Sequence, residues 1–272
     1  MKYIIDHDYH IHTKLSPCSG SKEQTPERIL RYAEEEGYTS ICLADHFWDS
    51  DVPGVPYDYR NLNYELLSTA KPLPQKEGIK FMFGCEAEIN PKRTIGIASK
   101  NYDLFDFIII PTTHLHMNGI SVNPEDVATL DDRANEWVKR FELVLDSDLP
   151  FYKTGIAHLA CHLVAPAPYL KEDHVAVFER ISQGDMERLF DKAARLGIGI
   201  ELNSCDILSA VGYEEILLKP FKIAKECGCK FYLGSDAHTP GGFTNAKKGF
   251  EMAIDYLKLE ETDKFYVGGQ KA

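Results

Sequence analysis

Short apolar runs alternate along this chain with longer stretches of helical periodicity. The first run is Tyr3-Ile4-Ile5, which leads into the extended segment Asp8-Tyr9-His10-Ile11-His12. Thr25-Pro26-Glu27 supplies an N-cap, a proline at the first helical position and an early acid, and Gly37 closes the helix it opens. A short strand is expected from Thr39 to Ala44, a helix from Tyr59 to Ala70 and a strand from Lys80 to Cys85. Phe107 to Ile110 reads as a buried, β-branched strand. Asn123-Pro124-Glu125-Asp126 starts a helix expected to run to Leu145. Beyond it, strands are expected at 155–157, 198–202 and 231–234. Helices are expected at 185–196, 214–227 (with a kink at Pro220) and 245–257.

About seven strands with helical connections predict a parallel sheet covered on both faces. Such units can close into a barrel, which collects functional residues at the strand C-termini. With no linker, repeat or low-complexity segment, the 272 residues read as a single domain, 1–272. The longer connections Trp48 to Tyr59 and Leu163 to Asp173 are candidate lids or substrate loops.

Composition is ordinary for a globular protein, and net charge is −12. That balance disfavours binding to long nucleic acids, which depends on Lys and Arg neutralising phosphates. It leaves room for a small anionic substrate, because a bound metal reverses the sign locally. No run approaches the length of a membrane span. Asp6, His7 and Asp8 interrupt any apolar leader, so a cytoplasmic location is expected. The seven cysteines are an odd number, several of them in apolar runs, as buried free thiols in a reducing compartment would be. Cys227-Gly228-Cys229 has no second pair to complete a zinc motif.

The histidines fall unevenly against these strands. His10 and His12 follow strand one, Asp45-His46 ends strand two and Glu86 ends strand three. His114 follows strand four, His158 ends strand five, and Asp236 and His238 follow strand seven. Six strands thus deliver a metal-ligand type from one end; strand six, with Glu201 and Asn203, is the exception. Alone, each has a mundane reading as a loop residue, cap or surface acid. Together they predict a metal site. His7, His116, His162 and His174 are left with structural roles, His116 and His162 being alternates near a chosen ligand.

At these residues the chain resembles the PHP (polymerase and histidinol phosphatase) family. The marks are Asp8-x-His10-x-His12-Thr13, Asp45-His46, Gly84-Cys85-Glu86, the isolated His114, Ala157-His158 and Ser235-Asp236-Ala237-His238. The resemblance spans nearly the whole chain and is closest to the free-standing, histidinol-phosphatase-like members. It implies a distorted seven-stranded (βα)7 TIM-like barrel carrying two or three divalent ions (Zn, Fe or Mn). It implies His10, His12, Glu86 and Asp236 on the first ion, and Glu86 as a bridge with His114 and His158 on the second. The third takes His46, His238 and the residue eight after the first histidine. That residue is often histidine in close relatives and is Cys18 here. A thiolate suits zinc and is a poor ligand for manganese.

The chemistry so implied is hydrolysis of a small phosphomonoester by metal-activated water at a two- or three-metal centre. With Glu86, Asp236 and a Cys18 thiolate against three dications, the site carries roughly +3, which suits a phosphate dianion. Asp8 and Asp45 are expected to orient ligand rings. Lys14 and Arg93 are candidate phosphate-gripping cations, and Asp49 and Asp51 candidate amine contacts. An amidohydrolase is disfavoured because the central strand offers Glu86 and no bridging lysine. A nucleotide or oligonucleotide phosphodiesterase and a non-catalytic metal-binding regulator are the other readings.

Overall fold

The structure, a computed structural model, describes residues 1–269; the last three residues of the expected domain lie outside the described residues. Its strands are β1 (His7–Ile11), β2 (Ser40–Leu43), β3 (His46–Phe47), β4 (Lys80–Ala87), β5 (Phe107–Pro111), β6 (Thr154–Ala157), β7 (Gly199–Asn203) and β8 (Lys230–Gly234). All pairings between them are parallel, in the order β1-β2-β4-β5-β6-β7-β8, with β3 also on β4. β2 and β3 lie on one path, interrupted at Ala44-Asp45, so the wall has seven staves and the seven-stranded TIM-like barrel is what forms.

The barrel closes between β8 and β1 by an unusual seam. Near the C-terminal end the backbones bond directly, Asp236 N–H to His10 O at 2.7 Å and His12 N–H to Ala237 O at 3.1 Å. Further down, side chains replace the ladder. His7 Nε2 accepts from Leu233 N–H at 3.0 Å, and Asp8 Oδ1 accepts from Ser235 N–H at 3.0 Å. Backbone donors left unpaired here would be costly, and these two residues satisfy them.

The β1–β2 register slips between Asp8 and Ile11, a bulge that breaks strict side-chain alternation. Tyr9 joins the interior cluster with Phe107, Tyr232 and Phe265, while Ile11 packs in the outer core beneath the helices. The interior cluster plugs the barrel floor. Gly155 makes it possible: a Cβ there would sit 2.4 Å from the Tyr232 ring. Isoleucines of alternate parity in β5 face the helices, so β5 is buried on both sides, as parallel strands are.

Several elements differ from expectation. The first strand begins at His7, because Tyr3 is tied elsewhere: its N–H bonds Leu259 O and its hydroxyl bonds Phe231 O. The expected helix at 59–70 contracts to Tyr64–Leu67, capped by Asn63. The helix expected from 123 begins at Leu130, where Thr129 and Asp132 form a capping box, and Pro124–Val127 is a separate 3-10 turn. Pro220 does not kink a long helix; it sits in the first turn of Lys219–Glu226, which follows a short helix, Glu214–Leu217. Helices Lys171–Arg180 and Ser204–Ser209 were not legible, the second being six residues long and capped by Asn203. Among the described residues no helix is long and apolar enough to cross a membrane.

Candidate metal centre

All nine expected ligands converge at the C-terminal end of the strands. Seven of them line a cleft of about 330 Å³ together with His116, Met117 and Leu163, and His10 and His12 form its buried floor. A wider cavity, about 520 Å³, opens among Asp6, Ser40, Lys80 and Lys264 at the N-terminal ends of β1 and β2 and contains none of these groups.

Glu86 is the hub. β3 pairs His46 with Glu86 in register, which puts His46 Nδ1 2.7 Å from Glu86 Oε2. The other oxygen lies 2.8 Å from His158 Nε2 and 3.9 Å from His114 Nε2. His10 and His12 Nε2 lie 3.8 and 3.6 Å from Oε2. Asp236 Oδ1 is 3.0 Å from His12 Nε2 and 3.5 Å from His10 Nε2. Four overlapping sets could each hold an ion: His10/His12/Glu86, Glu86/His114/His158, His10/His158/Asp236 and His12/His46/His238. Cys18 Sγ lies 3.1 Å from His46 Nε2, beside the last set.

Five rings are aimed by a bond at Nδ1. His10 donates to Glu201 Oε1 at 2.7 Å, His12 to Ser16 Oγ at 3.0 Å and His114 to Glu88 Oε2 at 2.6 Å. His158 donates to Thr113 Oγ1 and His238 to Asp236 O, each at 2.8 Å. A proton held on Nδ1 leaves Nε2 as a lone pair facing the cleft, the state a metal requires. The supports are themselves held: Ser16 donates to Asp45 at 2.6 Å, and Glu88 pairs with buried Arg140 at 3.2 Å. His158 and Asp236 both adopt positive φ, 31° and 54°, conformations that cost energy in non-glycine residues and recur at functional sites.

The donor set fits metal ions on two observations. His10 and His12 Nε2 face each other at 3.1 Å, near the roughly 3.3 Å that two imidazoles on a tetrahedral zinc would show. Glu86 Oε2 and His46 Nδ1 are buried and, though 2.7 Å apart, are not aligned for a hydrogen bond, so both lack a partner. Buried orphans of this kind are rare unless something else satisfies them. The electrostatics agree. Burial opposes ionisation of Glu86, but His46 and His10 more than reverse it and hold its carboxyl well below the usual range. For His10, burial is likewise overcome, by Glu201, Asp236 and Glu86, and its pKa lies well above the ordinary value. The carboxylates call for positive charge at the centre. Burial raises the Cys18 thiol, but bonds from His238 and His46 outweigh it and bring it down to about 7.

Other expectations shift. Asp45 reaches a ligand ring only through Ser16, and it also accepts from Thr13 N–H at 2.8 Å. Asp8 does not orient a ring; it ties the barrel seam and accepts from the Tyr32 hydroxyl at 3.2 Å. Arg93 is spent on Glu136 at 2.7 Å, and Lys14 lines a separate hollow with Thr25 and Glu27. No Lys or Arg lines the cleft among the described residues. Asp49 is buried and accepts from Ala98 N–H and Asn101, while Asp51 pairs with Lys100. His174 and His7 are structural, bonded to Ala160 O and to Asp6. Sequence reasoning passed over Glu201, Glu88, Ser16 and Thr113. For Glu201, the signal was an acid where every other stave offers a ligand.

A family model described as the PHP domain matches residues 8–205. The chain is 24% identical over 276 residues to a probable histidinol-phosphatase of Deinococcus radiodurans, covering 97% of this chain and 94% of that protein. It is 25% identical over 291 residues to a probable phosphatase of Caldanaerobacter subterraneus subsp. tengcongensis, covering 100% and 98%. Its fold is similar to the crystal structure of histidinol phosphate phosphatase from Lactococcus lactis subsp. lactis Il1403, complexed with zinc, L-histidinol and phosphate. The TM-score is 0.60 at 16% identity, over 96% of this chain and 98% of that one. With a family match across most of its length and the same fold, the chain belongs to the PHP domain family.

Proposed function

We propose that the chain, acting as one domain, is a metal-dependent phosphomonoesterase for a small phosphorylated metabolite. His10, His12, Glu86 and Asp236 would hold one ion, Glu86, His114 and His158 a second, and Cys18, His46 and His238 a third. The observation that carries this reading is Glu86: buried, ionised, and within 4 Å of five histidine rings through its two oxygens. A carboxylate so surrounded would serve as a ligand shared by neighbouring ions.

Divalent ions in this setting supply Lewis acidity toward phosphoryl oxygens and lower the pKa of coordinated water. The protein's own part is positioning. Glu201, Ser16, Glu88 and Thr113 keep the Nε2 lone pairs inward, and Asp236 and Glu86 set the local charge. With no lysine or arginine on the cleft wall among the described residues, the charge of a phosphate dianion falls to the metal sites themselves. Histidinol phosphate is the first substrate to try, because relatives carry that activity in their names.

The test is elemental analysis with an assay on p-nitrophenyl phosphate and histidinol phosphate. Two or three zinc, iron or manganese ions per chain, and loss of metal and turnover together in Glu86→Ala, are expected. Full turnover after exhaustive chelation would overturn the reading.

A further inference from the structure

His114 and His158, the proposed histidine ligands of the second ion, lie just past β5 and β6, and the helix Leu130–Leu145 is the crossover between those two strands. A crossover in a parallel sheet packs back across the strands it joins. Arg133, Trp137 and Arg140 stand at i, i+4 and i+7 on this helix and therefore share one face of it. All three are buried, Trp137 and Arg140 completely.

Each directs its donors at the loops that carry His114 and His158. Arg133 donates to Leu115 O at 3.3 Å and to Val164 O at 2.9 Å. Trp137 Nε1–H donates to Leu159 O at 3.0 Å. Leu115 and Leu159 directly follow His114 and His158, so the residue after each proposed ligand is tied to the same helix face. Arg140 grips both ends of the His114 loop, with Pro111 O at 3.1 Å and Thr112 O at 3.0 Å on one side and Ser121 O at 2.8 Å on the other. Its bond to Glu88 Oε1, at 3.2 Å, reaches the carboxylate that aims the His114 ring.

Fastening the helix does not require these bonds, because the Trp137 ring already packs edge-on against Phe141 and Phe178. Arg133 in particular is a buried cation bonded to two carbonyls and to no carboxylate among the described residues, with its Nε left unpartnered. Such burial is costly, and its effect is to hold two loops at a fixed separation. The backbone at His158, with φ 31°, needs such holding from outside. Among the described residues no side chain of this helix bonds β1, β8 or the segments that carry His12, Cys18, Asp236 and His238.

We infer that Arg133, Trp137 and Arg140 are positioning residues for the second ion alone, setting its affinity independently of the ions that share Glu86 with it or lie beside it. The inference rests on the metal-dependent phosphomonoesterase reading and adds which part of the fold controls which ion.

The experiment uses cadmium-loaded protein, whose cadmium NMR spectrum gives one line per occupied site, titrated with a competing chelator. The line lost in His114→Ala marks the second ion, and the line lost in Asp236→Ala marks the first. Arg140→Lys should weaken the second ion about 10- to 100-fold, the usual effect of disturbing the groups behind a ligand. Trp137→Phe keeps the packed ring, loses the N–H and should weaken the same ion several-fold; it carries the test if Arg140→Lys does not fold. The other ions should keep wild-type affinity. Phe141→Leu, a buried change on the same helix that removes none of these bonds, should lower stability to urea and leave every ion's affinity unchanged. Equal weakening of all ions, no weakening, or weakening by Phe141→Leu that matches Trp137→Phe overturns the inference, while wild-type metal content and turnover of p-nitrophenyl phosphate keep the phosphatase. Selective weakening in a protein that turns over no phosphomonoester does the reverse. A wild type that binds fewer than two ions overturns both.

Discussion

Glu201 holds His10 from the strand that supplies no expected metal ligand. One carboxylate oxygen accepts the His10 Nδ1 proton at 2.7 Å, and the other accepts the His158 backbone N–H at 2.6 Å. Both side chains are fully buried. A single acid thereby sets the direction of one candidate ligand and the position of another across the barrel. Glu201→Gln keeps the shape and loses the charge. It should lower metal affinity about 10- to 100-fold, the usual cost of removing a carboxylate behind a ligating histidine. Titration against a competing chelator measures this, and an unchanged affinity would mean that packing alone aims His10.

Gly234 is the position that lets this pair meet. A Cβ there would lie 1.9 Å from Glu201 Oε1 and 2.8 Å from His10 Cβ. Gly234→Ala should push the carboxylate off the ring, cost about 1–3 kcal/mol of stability through overpacking, and reduce bound metal. Denaturant unfolding and elemental analysis on one preparation check both effects. Wild-type values in both would show that the barrel interior can give way here.

Cys18 places a soft donor beside His46 and His238. Cobalt-substituted protein should show a sulfur-to-cobalt charge-transfer band in the near ultraviolet, because a thiolate that ligates zinc also ligates cobalt. Cys18→Ser should abolish the band, and Cys18→His should abolish it while preserving the third ion. In metal-free protein the thiol, lowered to about 7, should react readily with iodoacetamide near neutral pH. Metal should protect it. Three bound cobalt ions without the band would remove Cys18 from the ligand set.

His174 predicts an acid limb to the stability curve. Its Nε2 is bonded to Ala160 O at 2.9 Å and its Nδ1 is buried without a partner. Burial, with Lys171 adding repulsion, holds its imidazolium down to about 4. Unfolding restores the ordinary value near 6.5, so between about 6.5 and 4 the unfolded chain takes up the proton first. Stability from this group is complete above that window and is lost as pH falls through it, with a slope of up to about 1.4 kcal/mol per pH unit. Urea unfolding in the presence of chelator should show this limb in the wild type and a shallower one in His174→Gln. Equal limbs would assign the acid loss to other groups.

Local pattern alone determined the class of fold and most of the candidate ligands. Parallel staves place their C-terminal ends on one side, so a sequence that puts His or Asp/Glu after successive apolar runs already assembles them. Capping and glycine closure marked the helix at Pro26–Glu36 for the same reason: its signals lie within a few residues. What only the tertiary structure decided depends on partners far apart in the chain. Glu201 meets His10 across 191 positions, and Glu88 meets His114 and Arg140. Asp8 turned from a ring-orienting residue to a seam residue because its nearest donor, Ser235 N–H, lies just past the end of β8. Arg93 looked free to hold phosphate until Glu136 was found beside it. Ligand types are legible because metal chemistry restricts them to a few residues, whereas the groups that aim those ligands are ordinary acids and hydroxyls whose role is set by what the folded barrel brings within three ångströms.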